Sequence, residues 1–212
     1  YMYTSNKVLG NATITCTGPY FIPNVKVDTY GVYTNNVPGA AFRGFGAPQA
    51  LWMAELQMDK LADQLSLDPV DFRHRNALRA GDTLGVGTPP PGRVSIVECI
   101  EAARDKFHWV PRLDRENFQK SLPSIVHGRG FATGFKNVGF SFGYQENSWA
   151  RIELYGTNEI KKAVLWHASA EVGQGTHTVM IQMAAEALGI PVEKITLVTS
   201  DSATMGNPGS VS

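Results

Sequence analysis

Two short glycine-rich segments hold most of the chemistry this sequence can do: AFRGFGAPQ at residues 41–49 and EVGQGTH at residues 171–177. Each runs straight into a helically patterned stretch. A glycine-rich loop at a helix start offers backbone N–H groups and the positive end of the helix dipole, and its missing side chains let an anionic or acceptor-rich group come close. In the second loop, Gln174 between Gly173 and Gly175 can donate and accept at once, toward a polar heterocycle or a metal-oxo group. In the first, Arg43 is a permanently charged fork suited to phosphate or carboxylate, and Phe45 lies between two glycines, uncrowded and able to face a flat ligand. The same residues also admit a plainer reading. The glycines then serve tight strand-to-helix turns, Phe45 packs into a neighbour and Arg43 makes a surface ion pair. A third pattern, NVGFSF at residues 137–142, puts Phe140 and Phe142 on one side of a strand, where an aromatic contact worth about 0.5–1.5 kcal/mol orients a planar substrate without catalysing anything.

Other chemistries find no support. GQGTHT lacks the third glycine of the dinucleotide fingerprint, and neither loop closes with GK[ST]. The five histidines, at 74, 108, 127, 167 and 177, fall at no metal-binding spacing, so none is assigned to zinc. Cys16 and Cys99 are too few for a metal knuckle or an iron–sulfur ligand set and read as structural thiols of a reducing compartment. No serine or cysteine sits in a nucleophile elbow. Nineteen basic residues balance nineteen acidic ones, so the electrostatic footprint of a nucleic-acid or membrane-surface binder is missing. No apolar run is long enough to span a bilayer and the first residues do not form a signal peptide, so the expectation is a soluble, cytoplasmic chain with small-molecule or protein partners. A start at Tyr1 and a stop at NPGSVS read as a piece cut from something longer.

The elements that must position these loops follow from periodicity. Residues 1–35 mix β-branched and aromatic residues with turn signals at Gly10-Asn11, Gly18-Pro19 and Pro23-Asn24, which predicts short strands or hairpins. Pro48 suits a first helical turn, and Leu51, Ala54, Met58, Leu61 and Leu65 mark one helical face. Asp68, Pro69 and Asp71 predict a second helix, ending near Leu78. Residues 79–94 are rich in glycine and proline and predict a linker between two lobes. Ser95 and Glu98, at capping-box spacing, precede a helix with Ile96, Ile100, Ala103 and Phe107 on one face. Residues 149–155 and 160–167 form the clearest hairpin. A helix after the second loop carries Met180, Met183, Ala184, Ala187 and Leu188 and stops at Gly189 and Pro191, before a last strand at 195–199. The sum is an α+β fold in two lobes, 1–78 and 95–212.

Together and in this order, AFRGFGAPQ, NVGFSF and EVGQGTHTVMIQMAAEALGIP resemble the molybdenum-binding subunit of the xanthine dehydrogenase and aldehyde oxidase family, the molybdenum hydroxylases. The resemblance extends from near Tyr33 to Val198. It implies a truncated part of the cofactor-binding domain, with Phe45 and Phe142 sandwiching a planar substrate and Arg43 steering its polar groups. Phe42, Arg43, Gly173, Gln174, Gly175 and Thr176 would contact a molybdenum–molybdopterin cofactor, its cytosine dinucleotide form included. No side chain would ligate the metal directly. The implied reaction is water-dependent oxidation of a C–H bond in an aromatic N-heterocycle, purine or aldehyde, with electrons leaving through [2Fe-2S] clusters and FAD on partner subunits or domains. No catalytic residue falls within this stretch, because the family's general-base glutamate is expected beyond Ser212 and Glu171 is not that base. Alone, the polypeptide is expected to be inactive, with the walls of its site exposed to solvent. Gly44 stands where the carbon monoxide branch carries a cysteine, which argues against that branch. The other function class consistent with this ancestry is a non-catalytic scaffold whose glycine loops survive as turns.

Overall fold

A computed structural model describes residues 5–37, 42–111, 124, 128–137, 148–199 and 201–206. They fall into two compact units, Tyr1–Val138 and Gly139–Ser212. Among the described residues the first unit contains four helices: α1 (Ser5–Thr15), α2 (Ala47–Gln64), α3 (Pro69–Asn76) and α4 (Ile96–Lys106). The second contains strands β1 (Ala150–Tyr155), β2 (Lys162–His167) and β3 (Ile195–Val198), with α5 (Thr176–Leu188) between β2 and β3. Helix and sheet content agree with the α+β expectation. The units part at Val138/Gly139 and not within 79–94; that stretch runs inside the first unit, where α4 packs on α3.

The sheet expected at residues 1–35 is instead helix α1 over Ser5–Thr15, followed by extended chain whose one described bridge joins Tyr20 to Ala77. Tertiary packing overrides the β-branched composition here. The threonine hydroxyls that favour strands are consumed inside the helix: Thr13 donates to the Leu9 carbonyl and Thr15 to the Asn11 carbonyl, both at 2.8 Å. Asn11 and Thr15 are buried, and α1 packs against α2. The approach is close enough that a Cβ on Gly46 would collide with the Val8 carbonyl oxygen.

Helix α2 buries Ala47, Ala50, Glu55, Met58 and Ala62, while Leu61 and Leu65 face solvent. Its inner face is therefore rotated from the expected leucine stripe. Small alanines allow the close helix contact, and the polar Glu55 turns inward because Arg73 of α3 waits there, 0% exposed. Arg73 Nε donates to Glu55 Oε2 at 2.7 Å, a second guanidinium nitrogen donates to the Glu55 carbonyl at 3.2 Å and pairs with Asp59 at 2.9 Å, and the third donates to the Pro69 carbonyl at 3.0 Å. The Tyr20 hydroxyl donates to Glu55 Oε1, and the Thr133 backbone N–H and hydroxyl donate to the same carboxylate at 2.9 and 3.1 Å. Burial, then the Glu55 carboxylate beside it, pushes the Tyr20 phenol well above its ordinary range. For Arg73, burial is the largest single influence and disfavours the charge, but hydrogen bonds to Glu55 and Asp59 together with the attraction of the Glu55 carboxylate outweigh it, so the guanidinium stays charged. Sequence periodicity missed this cluster, since Glu55 and Arg73 are residue types usually assigned to a solvated face.

Asp68 caps α3 as expected, its carboxylate accepting from the N–H groups of Val70 at 2.8 Å and Asp71 at 3.3 Å. The capping box expected on α4 does not form. The Ser95 side chain makes no cap bond, and Glu98 pairs with Arg93 at 3.1 Å. Ile100 joins Val70 and Ala77 in the core, flanked by Ile96, Trp109 and Phe131, whereas Phe107 stays exposed.

In the second unit β1 and β2 form the expected antiparallel hairpin, Ala150 opposite His167 through Tyr155 opposite Lys162. β3 joins β2 in parallel, so β2, α5 and β3 form a crossover unit. Ala163 and Leu165 of β2, with Ile195 of β3, pack against Ala184 and Ala185 of α5, joined by Met180, Ile181 and Leu188. Met183, expected in the stripe, is exposed, because the inner face is centred on the Ala184-Ala185 pair. Gly189 ends α5 in the left-handed conformation, and the Ile190 N–H returns to the Ala185 carbonyl at 3.1 Å.

Two substitutions test the buried cluster. Glu55→Ala strips Arg73 of its buried carboxylate, leaving it the half-exposed Asp59 and backbone carbonyls, and is expected to lower stability by about 3 kcal/mol, whereas Tyr20→Phe, which removes one donor, costs about 1 kcal/mol. Chemical denaturation monitored by tryptophan fluorescence reads both; equal effects would refute the assignment of Glu55 as the hub.

Candidate functional site

The glutamine loop leaves the C-terminal end of β2 and enters α5, the place where crossover units present backbone to ligands. Gly173 and Gly175 adopt φ of 95° and 81°, a region open to glycine at little cost, and a Cβ at either would meet nothing within 4 Å. The glycines are thus required by conformation and not by crowding. The expectation of bare amides needs correction. Glu171 Oε1 accepts from the N–H of Gly173 at 2.7 Å and of Gly175 at 3.0 Å, and its other oxygen accepts from the N–H of His177 at 3.2 Å. The Gly175 amide, then that of His177, holds the Glu171 carboxyl below the ordinary carboxylate range. Gln174 is also turned onto its own loop, accepting from the Val172 N–H at 2.7 Å and donating to the Ala170 carbonyl at 2.9 Å. One carboxamide N–H and one acceptor site remain available on an exposed residue.

Two histidines that the sequence left without a role brace the loop. His167 ends β2 on the face that carries Leu165, 3% exposed, and its ring lies edge-on to His177 in the first turn of α5, with centroids 5.5 Å apart. Ser169 joins them through its backbone: its N–H donates to His167 Nδ1 at 3.1 Å, and its carbonyl accepts from His177 Nε2 at 3.1 Å. This assigns the neutral His167 proton to Nε2, a buried donor with no hydrogen-bond partner among the described residues. A spacing of ten residues is no helical or strand signature, so only the crossover brings the pair together.

The arginine turn belongs to the first unit. Phe42 and Arg43 are exposed, Phe42 at 72%, and the Phe45 N–H closes the turn on the Phe42 carbonyl at 2.7 Å. Gly44, Phe45 and Gly46 all have positive φ, at 92°, 56° and 103°. For a phenylalanine this conformation costs on the order of 1–3 kcal/mol and persists only where the surroundings enforce it. Phe45 is 6% exposed, so the expected solvent-facing ring is in fact packed inside; Phe42 is the exposed aromatic of the turn. Phe140 and Phe142 lie outside the described residues. Thr176, at the start of α5, is half-buried.

Two family models, each described as a molybdopterin cofactor-binding domain, match residues 1–77 and 102–212, the second alone spanning more than half of the chain. The chain belongs to the molybdenum hydroxylase family. Among curated relatives of this molybdenum hydroxylase chain, an aldehyde oxidoreductase of Megalodesulfovibrio gigas is 34% identical over 194 residues, covering 90% of this chain and 20% of the relative. The large molybdopterin subunit of nicotinate dehydrogenase from Eubacterium barkeri is 48% identical over 99 residues, covering 47% and 23% respectively. The crystal structure of the aldehyde oxidoreductase from Desulfovibrio desulfuricans superposes with a TM-score of 0.66 at 25% identity, covering 99% of this chain and 22% of that one. The chain thus spans about a fifth of the length of these relatives.

The glutamine loop fits the cofactor that this family implies. An orphaned buried donor on His167, exposed glycine backbone with open space before it, and the spare donor and acceptor of Gln174 suit a heterocycle rich in acceptors. No group of three metal-ligating side chains occurs among the described residues, and no helix among them is long and apolar enough to cross a membrane.

Burial, then His177 nearby, depresses the His167 pKa below its ordinary 6.5. The unfolded chain therefore binds more protons as pH falls through that range, so the stability this residue contributes is full above 6.5 and is lost on acidification toward the folded value. The melting temperature is expected to fall between about pH 7.5 and pH 5.5. His167→Asn keeps an acceptor for the Ser169 N–H and cannot titrate, so it should flatten that part of the profile; an unchanged slope would exclude His167 as its source.

Proposed function

We propose that this chain is the cofactor-holding part of the catalytic subunit of a molybdenum hydroxylase that oxidises a C–H bond of an aromatic N-heterocycle, purine or aldehyde with water as the oxygen source. The observation that carries the reading is the glutamine loop, an exposed and internally braced turn at the end of β2 that keeps donor and acceptor capacity for a polar heterocycle, within a chain matched by cofactor-binding family models. The names of the relatives, a nicotinate dehydrogenase and an aldehyde oxidoreductase, favour substrates of these two kinds.

In this reading Gly173, Gln174, Gly175 and Thr176 hold the cofactor in the intact subunit, and so do Phe42 and Arg43. Arg43, exposed and permanently charged, also steers polar substrate groups. Phe142 keeps its proposed role as a substrate wall. Phe45 takes part by anchoring the arginine turn from within, its strained backbone fixing where Arg43 departs. When bound, the cofactor supplies the oxidation itself, and two electrons leave through iron–sulfur and flavin partners. The protein's share is binding and orientation. In this reading Glu171 is not the general base, because it already accepts from three loop amides.

Metal analysis and pterin fluorescence of the intact subunit are expected to show molybdenum and a pterin together, and Gln174→Ala is expected to weaken cofactor retention about tenfold. A folded subunit lacking both would overturn the reading in favour of a scaffold of the same ancestry.

A further inference from the structure

The glutamine loop contains a carboxylate that the proposed function leaves without a task. The N-cap of α5 is Gly175, which has no side chain to pair the first-turn amides, and no cap hydrogen bond arises from that position. Capping is supplied from four residues upstream by Glu171, whose two oxygens accept from the N–H groups of Gly173, Gly175 and His177. These three bonds close over Gln174, whose carboxamide closes a second ring between Val172 and Ala170. A Cβ at either glycine would meet nothing within 4 Å, so no side-chain crowding holds their conformation. Two left-handed glycines in so short a segment carry large backbone freedom. The carboxylate is the group that removes it.

We propose that Glu171 is the positioning residue of the cofactor loop: an internal anion that fixes Gly173, Gln174 and Gly175 before any ligand arrives. The proposal rests on the cofactor reading above and adds a charge consequence to it. Because the amides of Gly173, Gly175 and His177 already face a carboxylate, the loop meets the cofactor through neutral groups, foremost the spare N–H and acceptor of Gln174. An anionic portion of the ligand would face Glu171 itself, so the loop receives the uncharged heterocycle and not a phosphate.

The experiment uses the intact subunit. Glu171→Ala is expected to fold, to lose about tenfold in cofactor retention measured by molybdenum content and pterin fluorescence, and to lose hydrogen-exchange protection at the amides of Gly173, Gly175 and His177. Added acetate, which can enter the vacated position, should restore protection and retention, while chloride at equal ionic strength should not. Glu171→Gln keeps the shape and one acceptor oxygen but not the charge, and should fall between wild type and alanine; it carries the test if the alanine variant does not fold. Wild-type retention and protection in both variants would overturn the proposal, as would a loss of protection that acetate and chloride repair equally. A wild-type subunit without molybdenum or pterin would refute the cofactor reading instead, while the exchange data would still decide whether Glu171 holds the loop.

Discussion

Both glycine loops end in a helix whose N-cap is a left-handed glycine, and such a residue has no side chain with which to pair the amides of the first turn. Leaving those donors unpaired is unfavourable at any helix start, so each loop draws its partners from elsewhere. In front of α5 the partner is the Glu171 carboxylate, which accepts from the His177 N–H of the first turn and from those of Gly173 and Gly175 before it. In front of α2 the chain coils on itself, the Ala47 N–H reaching the Gly44 carbonyl at 3.1 Å, with Gly44, Phe45 and Gly46 all held left-handed. The conformation of each loop is thus sustained by contacts within the chain that need no ligand.

Each loop is backed by a unit of different character. The helices of the first unit are tied by one buried carboxylate serving an arginine, a tyrosine hydroxyl and a threonine backbone amide from three other parts of the chain. Every bond here is charge-assisted, and the full satisfaction of the cluster makes a buried ion pair tolerable. The second unit relies on apolar packing of α5 on the strands, with small alanines allowing close approach. Its polar detail is concentrated at the loop end, where the backbone of Ser169 sets the tautomers of His167 and His177.

Family membership and loop architecture support each other without duplicating information. The matches to cofactor-binding models identify the kind of group that domains of this family bind, whereas the geometry identifies which loop atoms are committed and which are spare. Gln174 illustrates the distinction. Half of its hydrogen-bonding capacity stabilises the turn and half is left over, so one residue both shapes the loop and can address a ligand.

Where local chemistry suffices, the sequence was legible by itself: the Asp68 cap and Pro69 at the start of α3, the hairpin at 150–167, the Gly189 stop of α5, and the two glycine loops with their family resemblance. These features depend on a few adjacent residues whose backbone preferences or hydrogen-bonding groups act at short range. Only the tertiary structure decided that residues 5–15 are helical, that α2 turns Glu55 inward and leaves Leu61 and Leu65 outside, and that Phe45 is buried while Phe42 is not. It also showed that the loop amides already answer to Glu171 and that His167 meets His177. The physical reason is shared: a polar group buried among distant partners, or a backbone amide awaiting an acceptor, takes its energy from whatever the fold brings to it, and residue spacing carries no record of that partner.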